Sequence, residues 1–199
     1  MWAGLLNKWK SSYPAVSILL TRLVGSLGGL LTIAYVNLTG AIPDELLTEF
    51  RVIASWSVLA AVIATTWLSL SITRHLRSAI RDLFRGVIPT QECGNQAVLE
   101  AIQFNLVHHR RAAWVVPLVT TIPVAGVMRF AYHIDWYSAF HVIVATLLGI
   151  ALSLLMMYFL TEPAIAPVIR MLISRGFSAP KNQSTERLQY RVMMCFSVI

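Results

Sequence analysis

The sequence predicts an all-α integral membrane protein with four complete transmembrane helices and the start of a fifth. Three observations predict it. Only 13% of the 199 residues are charged while 57% are hydrophobic, where a soluble domain carries roughly 25% charged residues. The apolar residues gather in blocks close to the roughly 20-residue length that crosses a bilayer as a helix. Basic residues collect in every second connection between those blocks.

The blocks fall at about Ala15–Val36, Val52–Ile72, Ala112–Tyr132 and Ala139–Leu160, and another opens near Val192. Lys8 and Lys10 precede the first block, as in a signal peptide. The block exceeds the length of an h-region and lacks a small-x-small cleavage site after it, so it reads as a retained span. The net charge of +7 flanks the spans, which argues for membrane topology and against nucleic acid. Cys93 and Cys195 fit no metal spacing and suggest no disulfide.

The charges set the orientation. The N-terminal segment carries Lys8 and Lys10. The first connection holds Asp44, Glu45 and Glu49 against Arg51. The second is rich in arginine (Arg74, Arg77, Arg81, Arg85, Arg110, Arg111), the third has only His133 and Asp135, and the fourth is again basic. The N-terminus and the second and fourth connections are therefore expected in the cytoplasm of a bacterial inner membrane. The organisation expected is 1–14 as the cytoplasmic N-terminus, 15–72 as a two-span unit, and 73–111 as an amphipathic, basic cytoplasmic connection. A second two-span unit follows at 112–161, then a cytoplasmic connection at 162–191 and the start of a truncated span at 192–199. Eight residues cover about 12 Å of helix, too little to cross.

A shift of about 90 residues lines up the two halves, as internal duplication does. Phe50-Arg-Val-Ile53 falls on Phe140-His-Val-Ile143, and Arg85-Gly86 on Arg175-Gly176. The unit is a pair of spans plus a cytoplasmic segment.

Arg74 to Gly86 reads as a short helix. Leu76, Ala79, Ile80, Leu83 and Phe84 form one face, Arg74, Arg77, Arg81 and Arg85 a neighbouring one, and Gly86 a C-cap. The plain reading is a snorkelling helix whose arginines meet anionic lipid headgroups. The sharper one is a stalk relaying a change in the spans. Pro117 and Pro123 mark a kink in the third span. Glu162-Pro163 is expected to end the fourth, since Pro163 and Pro167 disfavour a smooth helix.

Other features carry less. His133, Asp135 and His141 lie near the outer interface, and interfacial polarity explains them better than a metal. His108 and His109 read as solvated membrane-flanking residues. Arg22 and Arg129 sit near span ends, where snorkelling accounts for both. Small-residue stripes at Gly25 and Gly29, at Ala60 and Ala64, and at Ala145, Gly149 and Ser153 permit close helix packing. Packing within one chain is the plain reading and a homodimer seam the functional one.

The run Tyr158-Phe-Leu-Thr-Glu-Pro-Ala-Ile-Ala-Pro-Val168, followed by Arg175-Gly176, resembles the end of the fourth span in the six-span membrane region of class III adenylate cyclases of the mycobacterial type. Ser71-Ile-Thr-Arg-His-Leu-Arg-Ser-Ala-Ile80 resembles the cytoplasmic end of their second span. His109-Arg-Arg-Ala-Ala-Trp114 resembles the start of their third, and Gly40-Ala-Ile-Pro43 their first outer loop. The resemblance runs from about Leu20 to the end of the chain. It implies a sensory membrane region that feeds a HAMP relay and a cyclase making cyclic AMP. The chain contains neither of those modules, so no catalytic residue carries over. No P-loop, dinucleotide fingerprint, HExxH or GxSxG pattern occurs.

The expected function is thus signal input from the membrane, with no enzymatic activity, cofactor, metal or soluble substrate on this chain. Arg74, Arg77, Arg81, Arg85, Gly86, Glu162, Pro163, Arg175 and Gly176 are the expected transmitting residues. The alternatives are a small transporter or channel, or a membrane assembly partner. A transporter needs polar or ionisable groups at mid-span. The span centres offer Ser26, Thr65, Thr66, Thr120 and Thr121 and no carboxylate.

Overall fold

The computed structural model describes residues 2–179. The expected span start at 192–199, Cys195 and the part of the fourth connection from residue 180 onward lie outside the described residues. Among those described, every regular element is helical. In chain order these are α1 (Trp2–Trp9), α2 (Tyr13–Gly25), α3 (Leu27–Thr39), α4 (Leu47–Ile72), α5 (Arg74–Phe84), α6 (Gln91–Val119), α7 (Thr121–Phe130) and α8 (Trp136–Ser174). Four helical stretches are long and apolar enough to cross a membrane: Trp2–Thr39, Asp44–Ile72, Gln91–Phe130 and Trp136–Ser174.

Two of these stretches are interrupted near the middle of their apolar blocks. Between α2 and α3 the break falls at Ser26, whose hydroxyl donates to the Leu23 carbonyl at 2.6 Å while its own carbonyl accepts from Gly29 N–H at 2.9 Å. Between α6 and α7 it falls at Thr120 (φ −120°, ψ −68°). Pro123 causes this second break: it has no N–H for the Val119 carbonyl, and its ring crowds that carbonyl. Pro117, Pro163 and Pro167 lie inside helices.

The helix of the fourth apolar block differs from expectation: Pro163 and Pro167 do not interrupt it, and α8 runs unbroken past Glu162 to Ser174. A proline removes one backbone donor and strains one turn, but residues on both sides are anchored by burial here. Ala164, Val168, Ile169 and Leu172 are all buried, and the helix persists through the defect. The helix that carries the third apolar block likewise begins well before Ala112, since α6 starts at Gln91.

The chain divides into two compact units. The described part of the first comprises residues 2–18, 69–108 and 160–179. Its core joins Leu6 and Tyr13 to Leu76, Ala79 and Ile80 of α5, Ala97 to Ile102 of α6, and Val168 to Leu172 of α8. The Tyr13 hydroxyl donates to the Ala164 carbonyl at 2.6 Å. The apolar face of α5 is thus covered by protein. Of its arginines, Arg74, Arg81 and Arg85 are exposed, whereas Arg77 donates from Nη2 to the Leu70 carbonyl at 2.8 Å, near the C-terminus of α4.

Both Arg-Gly pairs end helices in the same way. Gly86 (φ +78°) and Gly176 (φ +86°) are left-handed. Val87 N–H bonds to Asp82 O and Gly86 N–H to Leu83 O, just as Phe177 N–H bonds to Leu172 O and Gly176 N–H to Ile173 O. This is the Schellman pattern, in which glycine takes the left-handed conformation at no Cβ cost. The halves differ upstream: α4 and α5 are separated at Thr73, while α8 has no corresponding break.

The second unit comprises Leu19–Leu68 and His109–Phe159. Its polarity is inside out. Trp56, Trp67, Trp114 and Phe159 are more than 60% exposed, while Ser57, Thr65, Thr120 and Thr146 are buried. A soluble domain would not expose that apolar area.

Candidate functional site: a cleft around Arg22

The second unit contains a cleft of about 70 Å³ lined from α2, α3, α4, α6, α7 and α8. Both helix breaks open onto it, through Ser26 and Thr120. Its walls combine glycines (Gly25, Gly29, Gly149), hydroxyls and short aliphatic side chains, with Arg22 as the one charged lining residue.

Arg22 is 1% exposed. It does not snorkel to a surface, as its position near a span end suggested. Its guanidinium donates from Nη1 to the thioether of Met157, on α8. The reason is local: Gly25, one turn further on, leaves room. A Cβ there would meet Met157 Cγ at 2.6 Å. A guanidinium stays protonated in a protein interior, so this bundle contains a buried positive charge.

The hydroxyls are mostly committed to backbone carbonyls. Thr65 donates to Ala61 O at 2.7 Å, Thr120 to Val116 O at 2.8 Å, Thr146 to Val142 O at 3.0 Å and Ser153 to Gly149 O at 2.8 Å. Thr32 reaches across to Ala145 O on α8 at 3.1 Å. Each spends its one proton and keeps oxygen lone pairs. The strong donor of the cleft is therefore Arg22.

The glycines of the stripes on α2, α3 and α8 lie around this cleft and pack within the chain, whereas Ala60 on α4 is exposed and does not line it. Gly28 and Gly149 meet backbone to backbone: a Cβ on Gly28 would strike Ser153 Oγ and the Gly149 carbonyl, and one on Gly149 would strike Thr32 Oγ1 and the Gly28 carbonyl. Gly29 faces Val58. Ala145 is fully buried in the apolar cluster of α3, α4, α7 and α8. Sequence spacing pointed to Gly25 and Gly29 and passed over Gly28, the most tightly packed of them. The stripe Gly28, Thr32, Val36, all buried on α3, was the signal that would have found it.

The residues expected to transmit a signal lie in the first unit. Arg74, Arg77, Arg81, Arg85 and Gly86 are on or just after α5, and Arg175 and Gly176 end α8. Glu162 and Pro163 are exposed on α8. A residue that sequence reasoning missed ties this unit together. Glu100 of α6 accepts the backbone N–H groups of His75 (3.3 Å) and Leu76 (2.8 Å) and contacts His75 Nδ1 at 2.6 Å.

His108, His109 and His141 have structural partners. His108 is fully buried, stacked on Phe104, with Nδ1 3.2 Å from Ser69 Oγ. His109 is half-buried with Nε2 3.0 Å from Leu154 O. Neither is the solvated flanking residue that the run of basic neighbours suggested, because α6 continues through them and turns both inward. His141 Nδ1 lies 3.1 Å from Tyr35 OH and its ring packs against Tyr137. Asp135 caps α8, accepting Ser138 N–H at 2.6 Å. This bond, more than the charge of Arg129, holds its carboxyl below the usual carboxylate range. Arg129 lies over the Trp136 ring at 4.6 Å. Among the described residues no group of three or more His, Cys, Asp or Glu side chains is placed to hold a metal ion.

No protein-family model matches the chain, and no curated protein and no solved structure matches it.

Proposed function

We propose that this chain is a multi-pass signal-input region of a bacterial inner membrane, of the kind that precedes a HAMP relay in class III adenylate cyclases, and that it performs no catalysis itself. The observation that carries the reading is the continuity of α8. This single helix bears cleft residues (Thr146, Gly149, Ser153, Met157) and, further along, core residues of the first unit (Val168, Ile169, Leu172). A helix with no break between two packed regions passes rotation or translation between them, which is how small shifts become switches. The exposed tryptophans and phenylalanine of the second unit suit lipid, and the alternation of basic connections supports a cytoplasmic N-terminus. Exposed Arg74, Arg81 and Arg85 then face anionic headgroups, each contributing about 1 kcal/mol near such a surface.

The test is a distance measurement in the full chain reconstituted in nanodiscs. Spin labels replace Arg81 on α5 and Ser174 on α8, with Cys93 and Cys195 changed to serine. Filling the cleft by Ser57→Leu is expected to shift the distance distribution in the first unit. Identical distributions with and without Ser57→Leu would remove the support for a relay.

A second reading, a small transporter or channel, is favoured by one specific observation: two interrupted helices and a buried arginine meet at one cleft. Discontinuous helices lining a polar site near mid-membrane are a recurring feature of transporters. Uptake of nitrate by proteoliposomes carrying the chain, above that of empty liposomes, would favour this reading over signal input.

A further inference from the structure

We propose that the cleft of the second unit takes the methyl end of a membrane lipid's acyl chain. The site rests on the reading that the second unit lies in a bilayer, and it asks nothing of the Arg22 charge.

The cleft is unsuited to a polar guest. Arg22 is 1% exposed and already held by partners within the chain, Met157 among them. Thr65, Thr120, Thr146 and Ser153 give their hydroxyl protons to carbonyls of their own helices. What faces the open space is almost wholly carbon, from residues such as Ala54, Val58, Ala61, Val62 and Ile150. Water enters a cavity where it finds two to four polar partners, and an apolar cavity stays dry. The lining of a dry void forfeits dispersion contacts. Hydrocarbon restores them, and a lipid tail, as apolar as leucine, gives up no hydration in doing so.

The rim decides where the guest comes from. Several lining residues keep some exposure, among them Gly29 on α3 and Val58, Ala61 and Val62 on α4. Gly29 has no side chain to close the rim, and Val58 stands against it. Leu30, Leu59 and Ile63, on the same two helices, are exposed. The medium that suits those side chains is lipid hydrocarbon, so the same medium meets the rim.

Depth and size select the chain end. Both helix breaks, Ser26 and Thr120, line the cleft and fall near the middle of their apolar blocks. In a bilayer core about 30 Å thick, that is the depth at which acyl chains terminate. A volume of about 70 Å³ matches about two water molecules at about 30 Å³ each. That is room for a terminal methyl and the methylene before it, and too little for a headgroup.

The experiment is photolabelling of the full chain in phosphatidylcholine nanodiscs. A trace of the lipid bears a diazirine, either at the chain terminus or beside the ester, and insertion sites are mapped by mass spectrometry. Ile63 and Trp67, exposed on α4, report contact with lipid. Thr65 and Thr146, buried and lining the cleft, report its occupation, and fully buried Val36 and Val142 give the background. The terminal diazirine is expected to label Thr65 and Thr146 severalfold above background, and the ester-proximal one to leave them at background. Ser57→Leu fills the cleft and is expected to abolish that labelling while Ile63 and Trp67 are labelled as before. Should Ser57→Leu fail to fold, Val58→Ala lowers the rim and is expected to raise the yield at Thr65 and Thr146. Labelled Ile63 and Trp67 beside background yields at Thr65 and Thr146 would overturn the site and leave the bilayer placement standing. Unlabelled Ile63 and Trp67 would remove that placement and the site with it. Labelling of Thr65 and Thr146 by a free diazirine-bearing alkane but not by the lipid would assign the cleft to a membrane-dissolved solute, and so overturn the lipid tail.

Discussion

Glu100 secures the first turn of a helix to which it does not belong: its Oε2 accepts the backbone N–H of Leu76, on α5, at 2.8 Å. The residue at the N-cap position, Thr73, makes no side-chain cap bond, so the carboxylate from α6 fills that role. It also places a negative charge at the positive end of the α5 dipole. Loss of an N-terminal cap costs about 0.5–2 kcal/mol, while the contact with half-exposed His75 adds little of its own. Glu100→Ala is therefore expected to destabilise the first unit by about 1–2 kcal/mol, and Glu100→Gln by less. Hydrogen exchange at the Leu76 and Arg77 amides reads it directly. Unchanged protection there in the alanine variant would show that the cap contributes nothing.

The glycine contacts make a graded prediction. At Gly28 and Gly149 an added Cβ meets backbone carbonyl as well as a hydroxyl, whereas at Gly126 it meets nothing within 4 Å. Overpacking of this kind costs about 1–3 kcal/mol, and Gly→Ala inside an open helix gains up to about 1 kcal/mol. Gly28→Ala and Gly149→Ala are expected to lower the SDS-unfolding midpoint, and Gly126→Ala to leave it unchanged or raise it. Equal effects at all three positions would contradict the close approach of α3 and α8.

The four apolar stretches were legible because a spanning helix needs a long uncharged run, which no local detail can imitate. Gly86 was legible as a C-cap because the apolar pattern of α5 stops beside it. What failed were inferences from single residues whose meaning depends on partners distant in sequence. Pro163 and Pro167 carry a strong local signal for a stop, yet α8 continues because Val168 and Leu172 are held in a core built from α5 and α6. Arg22 reads as a snorkelling cation until Met157, far along the chain, is seen beside it. Glu100 shows no local motif at all, since the N–H groups it caps lie on another helix.

His133 supplies a local test of backbone strain. Its φ of +55° puts an L side chain in the left-handed region, which costs roughly 1–2 kcal/mol outside glycine. Part of the gain from glycine is lost to its greater freedom when unfolded. His133→Gly is thus expected to stabilise by about 0.5 kcal/mol. His133→Val, branched at Cβ, is expected to destabilise. The opposite order of the two variants in a thermal melt would mean that the loop takes another conformation.

Asp135 gives the pH dependence of the same turn. The Ser138 N–H stabilises its charged form, so the folded pKa lies below the unfolded value, which is about 3.9. The stabilisation is therefore complete above the unfolded value and disappears as pH falls through the folded one. Asp135→Asn keeps an acceptor for Ser138 but has no charge to lose. The stability gap between wild type and Asp135→Asn is expected to be constant from pH 8 to about pH 5 and to narrow toward pH 3. Other carboxylates titrate identically in both proteins and drop out of the difference. A gap that stays level to pH 3 would mean that the carboxylate charge is not what holds the first turn of α8.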